Sequence, residues 1–240
     1  MLTERAVTSE EAQQLVASVP AWHQRFEITP GLITPGSYDP HIIWNKMTLP
    51  EDLSGRRVLD IGASDGFFSL KLRQRGAQVV AVDYRPKDLH GFGVMERISG
   101  LEFDYRQVNL FDVGPGTFGT FDIVLCFGVL YHLPDMIKGL SILRGVCSGQ
   151  MFLETHCAAE LSPEISAARY YREDTLNHDL TNFWSPNVLC LKDMLHDAAF
   201  DVERGTMWDA RDRYFAACRI NQDEQRLRKL RMAYGLVPGA

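Results

Sequence analysis

The sequence predicts a doubly wound α/β domain, and three observations carry that prediction. From residue 56 onward, short apolar runs alternate with stretches of helical periodicity. The runs are continuously apolar, as in strands of a parallel sheet covered on both faces. The first run, RRVLDI, drops into the small-residue turn GASDG and leaves it as a helix, the way a βα unit opens.

The elements follow in order. Residues 8–19 set Thr8 and Glu11 at capping-box spacing, with Ala12, Leu15, Val16 and Val19 on one face and Pro20 as the stop, so a helix is expected. Residues 20–50, rich in Pro, Gly and aromatics, lack periodicity and read as an ordered segment whose rings need a surface to cover. Then come RRVLDI (strand), FFSLKLRQR with Gly76 as its stop (helix), QVVAVD (strand), KDLHGFGVMERIS (helix), DYRQVNL and FDIVLCFG (strands), PDMIKGLSILRGV (helix) and GQMFLET (strand). A polar, aromatic-rich insertion occupies residues 157–187. The alternation resumes with the helix NVLCLKDMLHDAA, strands at DVERGTMW and RYFAACRI, and a charged helix whose Leu227, Leu230 and Ala233 are expected to pack down.

Composition narrows the function classes. A chain of 240 residues with 45% hydrophobic content supports one full domain core. The expected plan is a single domain: a cap segment at 1–50, a core at 55–156, a lid at 157–187 and the remaining core and tail at 188–240. A net charge of −6 argues against general polyanion binding. The five cysteines form no CxxC pair, so a reduced, cytoplasmic setting without structural zinc is expected. No apolar run approaches membrane-spanning length, and MLTERAVTSEEAQ carries charges where a signal peptide is apolar.

The turn at 62–66 carries the chemistry. Small residues where a parallel strand meets a helix let the backbone approach a ligand. The pattern is not GxGxxG, since Ser64 and Phe67 stand at two of its positions, and no GK[ST] follows. Asp60 and Asp65 disfavour a diphosphate and suit a cationic ligand. Asp83, ending the second strand 21 residues beyond Gly62, is placed to accept both hydroxyls of a ribose. A nucleoside without phosphates is the expected ligand class.

These residues resemble the class I S-adenosylmethionine-dependent methyltransferases, whose first motif is matched by VLDIGASDG, followed by Asp83 and by NLFD at the third strand end. The resemblance implies a Rossmann-like seven-stranded sheet, mostly parallel with a last antiparallel strand. It also implies a cofactor set of Trp22, Asp60, Gly62, Ser64, Gly66, Phe67, Asp83, Tyr84, Asn109, Leu110, Phe127 and Gly128, with Asn109 near the adenine amine. The segments WHQRFEITPGLITPG, FGVLYHLPD, MFLETH and NFWSPN look like the tRNA wobble-uridine (5-oxyacetyl-uridine) methyltransferase-like subfamily, whose founding member uses carboxy-S-adenosylmethionine. Where that subfamily has a lysine for the extra carboxylate, this chain has His23 or Gln24, which implies ordinary S-adenosylmethionine as donor.

Methyl transfer is an in-line displacement that asks mainly for positioning. Tyr131 and His132, beyond the fourth strand, can orient an acceptor or take its proton, or can simply line the pocket. Glu154 and His156 share one face of the fifth strand; either can meet the acceptor, and Glu154 equally suits a buried structural role. Tyr171, Asn182, Trp184 and Asn187 are the candidate substrate contacts of the insertion, since amides among aromatic faces suit a sugar or an extruded base, and equally a packed lid with capped turns. The resemblance alone implies that Trp22, His23 and Tyr38 fold over the cofactor from the other side, which adds His23 and Tyr38 to the candidate substrate contacts. The expected activity is O-methylation of a small metabolite or saccharide. A tRNA acceptor is second, with the tail helix as a docking face, and a non-catalytic binding module is the alternative of another class. No metal and no membrane partner are expected.

Overall fold

The computed structural model describes residues 7–209 and 212–235, so MLTERA at the start lies outside the described residues. The chain forms two compact units, one ending at Asn109 and one beginning at Leu110. The main sheet has seven strands, in the order β10-β11-β7-β6-β3-β4-β5.

In the first unit, helix α1 (Ser9–Ser18) starts at Thr8 with the full capping box to Glu11, and buries Ala12 and Val16. The aperiodic segment contains two features its sequence did not announce: the hairpin β1 (Glu27–Thr29) and β2 (Leu32–Ile33), turning at Gly31, and the short helix α2 (His41–Trp44). Strands β3 (Arg57–Ile61), β4 (Gln78–Asp83) and β5 (Asp104–Gln107) pair in parallel. Between them lie α3 (Phe67–Gln74) and α4 (Phe92–Ser99). The helix expected over 87–99 begins only at Phe92, and Gly91 is its N-cap. The strand expected over 104–110 ends at Gln107, because Leu110–Asp112 turn into a 3-10 helix.

Three rings of residues 20–50 find their surface on Phe67. Phe26, His41 and Trp44 meet it edge-on at centroid distances of 5.5, 4.7 and 6.0 Å. Phe26 and Phe67 are fully buried, each contributing about 1.5–3 kcal/mol of apolar burial.

The second unit contains α5 (Pro115–Phe118), unannounced by periodicity but opened by a proline at its first turn, then β6 (Phe121–Phe127), α6 (Met136–Val146) and β7 (Cys147–His156). The insertion folds as the antiparallel pair β8 (Ala168–Tyr170) and β9 (Trp184–Pro186). Helix α7 (Val188–Asp197), β10 (Phe200–Trp208), β11 (Arg213–Ile220) and α8 (Glu224–Tyr234) complete it. β6 and β7 are parallel, and β11 is antiparallel to both β7 and β10, so the last strand of the chain is the reversed one, as expected. Arg144 is buried on α6 and donates to the carbonyls of Ala199, Cys147 and Asn221, replacing the water it gives up. Leu227 and Leu230 of α8 pack down as expected, whereas Ala233 is exposed. No helix among the described residues is long and apolar enough to cross a membrane.

Candidate functional site

The turn after β3 holds three residues in the left-handed region: Gly62 (φ 74°), Ser64 (φ 53°) and Gly66 (φ 91°). Ser64 is a strained choice there, and its buried Oγ has no partner within the protein. Gly62 and Ala63 donate to the Val82 carbonyl at 2.8 and 3.1 Å, and the Ser64 N–H donates to Asp83 Oδ2 at 3.1 Å, so the turn is pinned to the end of β4. At Gly66 an added methyl would run into Met95.

Asp83 is buried, and Arg85 forks onto it, Nε to Oδ1 at 2.9 Å and Nη2 to Oδ2 at 2.8 Å. Burial pushes the Asp83 carboxyl up, but the hydrogen bonds and charge of Arg85 outweigh it and hold the group below the usual carboxylate range. The guanidinium also meets His90 Nε2 at 2.9 Å, while His90 Nδ1 faces the Ala21 carbonyl at 3.3 Å. A carbonyl only accepts, so Nδ1 carries the proton and Nε2 receives the Arg85 N–H. A continuous hydrogen-bond chain thus joins Asp83 to the segment before Trp22.

The other carboxylates of the turn look inward. Asp60 is buried beneath it and accepts from Ser69 Oγ at 2.6 Å. Burial pushes its carboxyl up to about 6, with Ser69 opposing and the Asp83 charge adding. Asp65, fully buried, accepts three backbone N–H groups: His23 and Gln24 on Oδ2, both at 2.7 Å, and Gly91 on Oδ1 at 2.9 Å. It clasps the cap segment to the start of α4. Gln24 adds its side-chain oxygen to the Phe67 N–H at 3.1 Å, capping α3 where Gly66 has no side chain to do so.

The remaining cofactor candidates of this unit take different places. Trp22 bonds the Val16 carbonyl at 3.0 Å, and its ring lies so close to Gly91 that a Cβ there would overlap it. Phe67 is a core ring, buried in the aromatic cluster. Tyr84 and Asn109 are exposed beyond the ends of β4 and β5. His23 and Tyr38 stack ring on ring, centroids 5.2 Å apart. Leu110 opens the second unit and is buried.

In the second unit the candidates gather at the carboxyl end of β6. Phe127 lies 6.5 Å from the Phe215 ring, and Gly128 (φ 68°) donates to the Glu154 carbonyl at 3.0 Å. The 3-10 turn Leu130–His132 follows. Both oxygens of Glu154 accept from Arg213, Nε and Nη2, at 2.6 Å each. Arg213 also lies 4.9 Å over the Tyr131 ring. Burial raises the Tyr131 hydroxyl and the Glu154 carboxyl; it pulls the Arg213 guanidinium down, but the Glu154 partnership outweighs it and raises that group. Glu154 is therefore spent on a buried ion pair. Sequence reading missed Arg213, although a Glu and an Arg in neighbouring apolar strands each demand a partner.

His156 is buried, meets Ser185 Oγ at 2.6 Å, and lies 3.8 Å from Asp212; desolvation lowers its pKa. His132 is less buried and faces the 157–187 insertion, Nδ1 to the Thr181 carbonyl at 3.2 Å and to Thr181 Oγ1 at 2.9 Å. Tyr171 packs edge-on to His156 at 6.3 Å. Asn182 donates to the Leu176 carbonyl at 2.8 Å, and its buried Oδ1 has no partner within the protein. Trp184 donates to the Pro134 carbonyl at 3.1 Å and meets the Tyr170 ring at 4.8 Å. Asn187 caps α7 through Cys190 N, and its amide nitrogen serves the Ser162 and Ile165 carbonyls, so this amide is fully engaged. No group of His, Cys, Asp and Glu side chains among the described residues is placed to hold a metal ion.

The family model described as "Methyltransferase domain" matches residues 43–204. The chain is 35% identical over 109 residues to the ubiquinone biosynthesis O-methyltransferase of Xanthomonas euvesicatoria pv. vesicatoria (strain 85-10), covering 43% of this chain and 44% of that protein. It is 34% identical over 105 residues to the protein of the same name from Pseudomonas aeruginosa (strain LESB58), covering 43% and 45%. The matches thus span under half the length of these curated relatives. Among solved structures, the N-terminal domain of EvdMO1 with SAH bound superposes with a TM-score of 0.66 at 18% identity, covering 90% of this chain and 98% of that one. At that identity the likeness is one of fold.

Proposed function

The chain belongs to the methyltransferase-domain family, whose model spans its residues 43–204, and from that premise we propose that it moves the methyl group of S-adenosylmethionine to a hydroxyl oxygen of a small metabolite or saccharide. The observation that carries this reading is the turn itself: three left-handed positions, at residues 62, 64 and 66, pinned beside a buried carboxylate that Arg85 keeps ionised.

The residues present fit the cofactor. Ser64 offers a buried hydroxyl without a protein partner, and the glycines leave room for a ligand against the backbone. Asp83 would serve two ribose hydroxyls by giving up the Arg85 fork, which together with the Ser64 and Arg85 N–H groups fills its oxygens here. When bound, S-adenosylmethionine supplies a methyl group activated by a sulfonium charge. Asp83 would hold the ribose and Asn109 the adenine. On the acceptor side, His132 would take the hydroxyl proton as the oxygen accepts the methyl group, and would then pass that proton to water. Tyr131 orients the acceptor.

Oxygen as the acceptor atom is supported by the name of the relatives, and a sugar by the EvdMO1 domain studied in the presence of SAH and D-fucose. The wobble-uridine reading ranks second. On α8, Arg226, Lys229 and Arg231 are each paired with a carboxylate, which weakens any phosphate-docking face there. The test is incubation with methyl-labelled S-adenosylmethionine and a lysate of the source organism, divided into RNA and small-molecule fractions. Label among the small molecules supports the proposal; label in tRNA overturns it, and cofactor binding with no labelled product identifies a binding module.

A further inference from the structure

We infer that Asp179 and Thr181 of the lid are positioning residues that set the tautomer of His132, leaving its basic lone pair on Nε2. The inference rests on the hydroxyl-acceptor reading and gives it a specific device.

His132 Nδ1 faces two oxygens of one residue, the Thr181 carbonyl at 3.2 Å and Thr181 Oγ1 at 2.9 Å. The carbonyl has no proton to give, so Nδ1 must be the donor. The hydroxyl is committed the same way. Thr181 Oγ1 lies 2.6 Å from Asp179 Oδ1, and an ionised carboxylate only accepts, so the hydroxyl hydrogen points to Asp179 and its lone pairs to His132. Asp179 Oδ1 also receives the Thr181 backbone N–H at 2.8 Å. Burial pushes the Asp179 carboxyl up, but the two Thr181 bonds oppose it, joined by the imidazole when that ring is charged, and the group is held below its ordinary value. The polarity of the relay is therefore set from the carboxylate outward: Asp179 orients Thr181, and Thr181 orients the ring.

The lid holds this arrangement in register with the turn that carries His132. Phe183 N donates to the Tyr131 carbonyl at 2.9 Å, and Trp184 Nε1 to the Pro134 carbonyl at 3.1 Å, so both sides of His132 are tied to the segment bearing Thr181. The Tyr131 ring, at 4.2 Å, restricts the imidazole further. A neutral imidazole with the proton fixed on Nδ1 presents Nε2 as the base that an acceptor hydroxyl requires.

The tautomer is read directly by long-range 15N–1H correlation of the full chain labelled at histidine, with His132 assigned by its loss in His132→Gln. At pH 8, wild type and Thr181→Ser are expected to show the Nδ1–H form. Thr181→Val and Asp179→Ala keep the Thr181 carbonyl but lose the oriented hydroxyl, and are expected to shift a measurable fraction of the ring to Nε2–H. A wild-type ring already in the Nε2–H form, or one unchanged in both variants, overturns the inference. On the labelled small-molecule fraction, Asp179→Ala is expected to lower kcat about 10-fold, a part of the roughly 10²–10⁴ that a placed base supplies, with KM for S-adenosylmethionine unchanged. Equal kcat overturns the positioning role. Absence of any labelled product in wild type strikes the hydroxyl-transfer reading itself, a failure separate from the tautomer result.

Discussion

Replacing Asp65 by Asn tests how the cap segment is attached. The carboxylate accepts three buried N–H groups, two on Oδ2 and one on Oδ1. An asparagine offers one acceptor oxygen and places an NH2 where the other stood. In the better orientation it retains His23 and Gln24 but turns a donor toward the Gly91 N–H; in the other it loses both cap contacts. A buried donor without a partner costs about 1–3 kcal/mol, and the surviving bonds weaken from charged to neutral. The expected loss is about 2–4 kcal/mol, measured by urea denaturation at pH 7. Hydrogen exchange locates it: the amides of residues 23, 24 and 91 should lose protection before those of β3 and β4. A loss below about 1 kcal/mol with all three amides still protected would refute the clasp.

Further outcomes follow from the same geometry. Asp60 has a raised folded pKa of about 6, so the stability it contributes is full below its unfolded value and is lost as pH rises through 6. Asp60→Asn should therefore gain on wild type by up to roughly 3 kcal/mol between pH 4 and 8, and parallel stability profiles would contradict this. Asp83→Ala should weaken S-adenosylhomocysteine binding at least about 10-fold by calorimetry, the loss of one charge-assisted contact; equal affinity removes the ribose assignment. Gly91→Ala should displace the Trp22 ring, seen as a shifted tryptophan emission, and an unchanged spectrum counts against the contact. Arg213→Ala leaves Glu154 buried without its partner and should cost about 3–5 kcal/mol, whereas Arg213→Lys should recover part of it; denaturation midpoints decide.

Much of this molecule was legible in one dimension. The strand and helix alternation, the GASDG turn and the place of Asp83 at a strand end are short-range consequences of periodicity and turn chemistry, and the structure repeats them. Where glycine and local turns intervene, as at Gly91 and Asn109, element ends moved by a few residues. The partners of the polar groups were another matter. Asp65 read as a charge for a cationic ligand and instead collects backbone amides from residues 23, 24 and 91. Glu154 stood undecided between two roles until Arg213 met it from the antiparallel neighbour of its strand. His132 was visible as a candidate base, but not the threonine and aspartate of the insertion that its ring meets in series. Sequence by itself determined the fold, the family and the turn, because those depend on residues close along the chain. Only the tertiary structure decided which oxygen or nitrogen each buried polar group spends itself on, because that is settled by contacts that chain closure brings together across tens of residues.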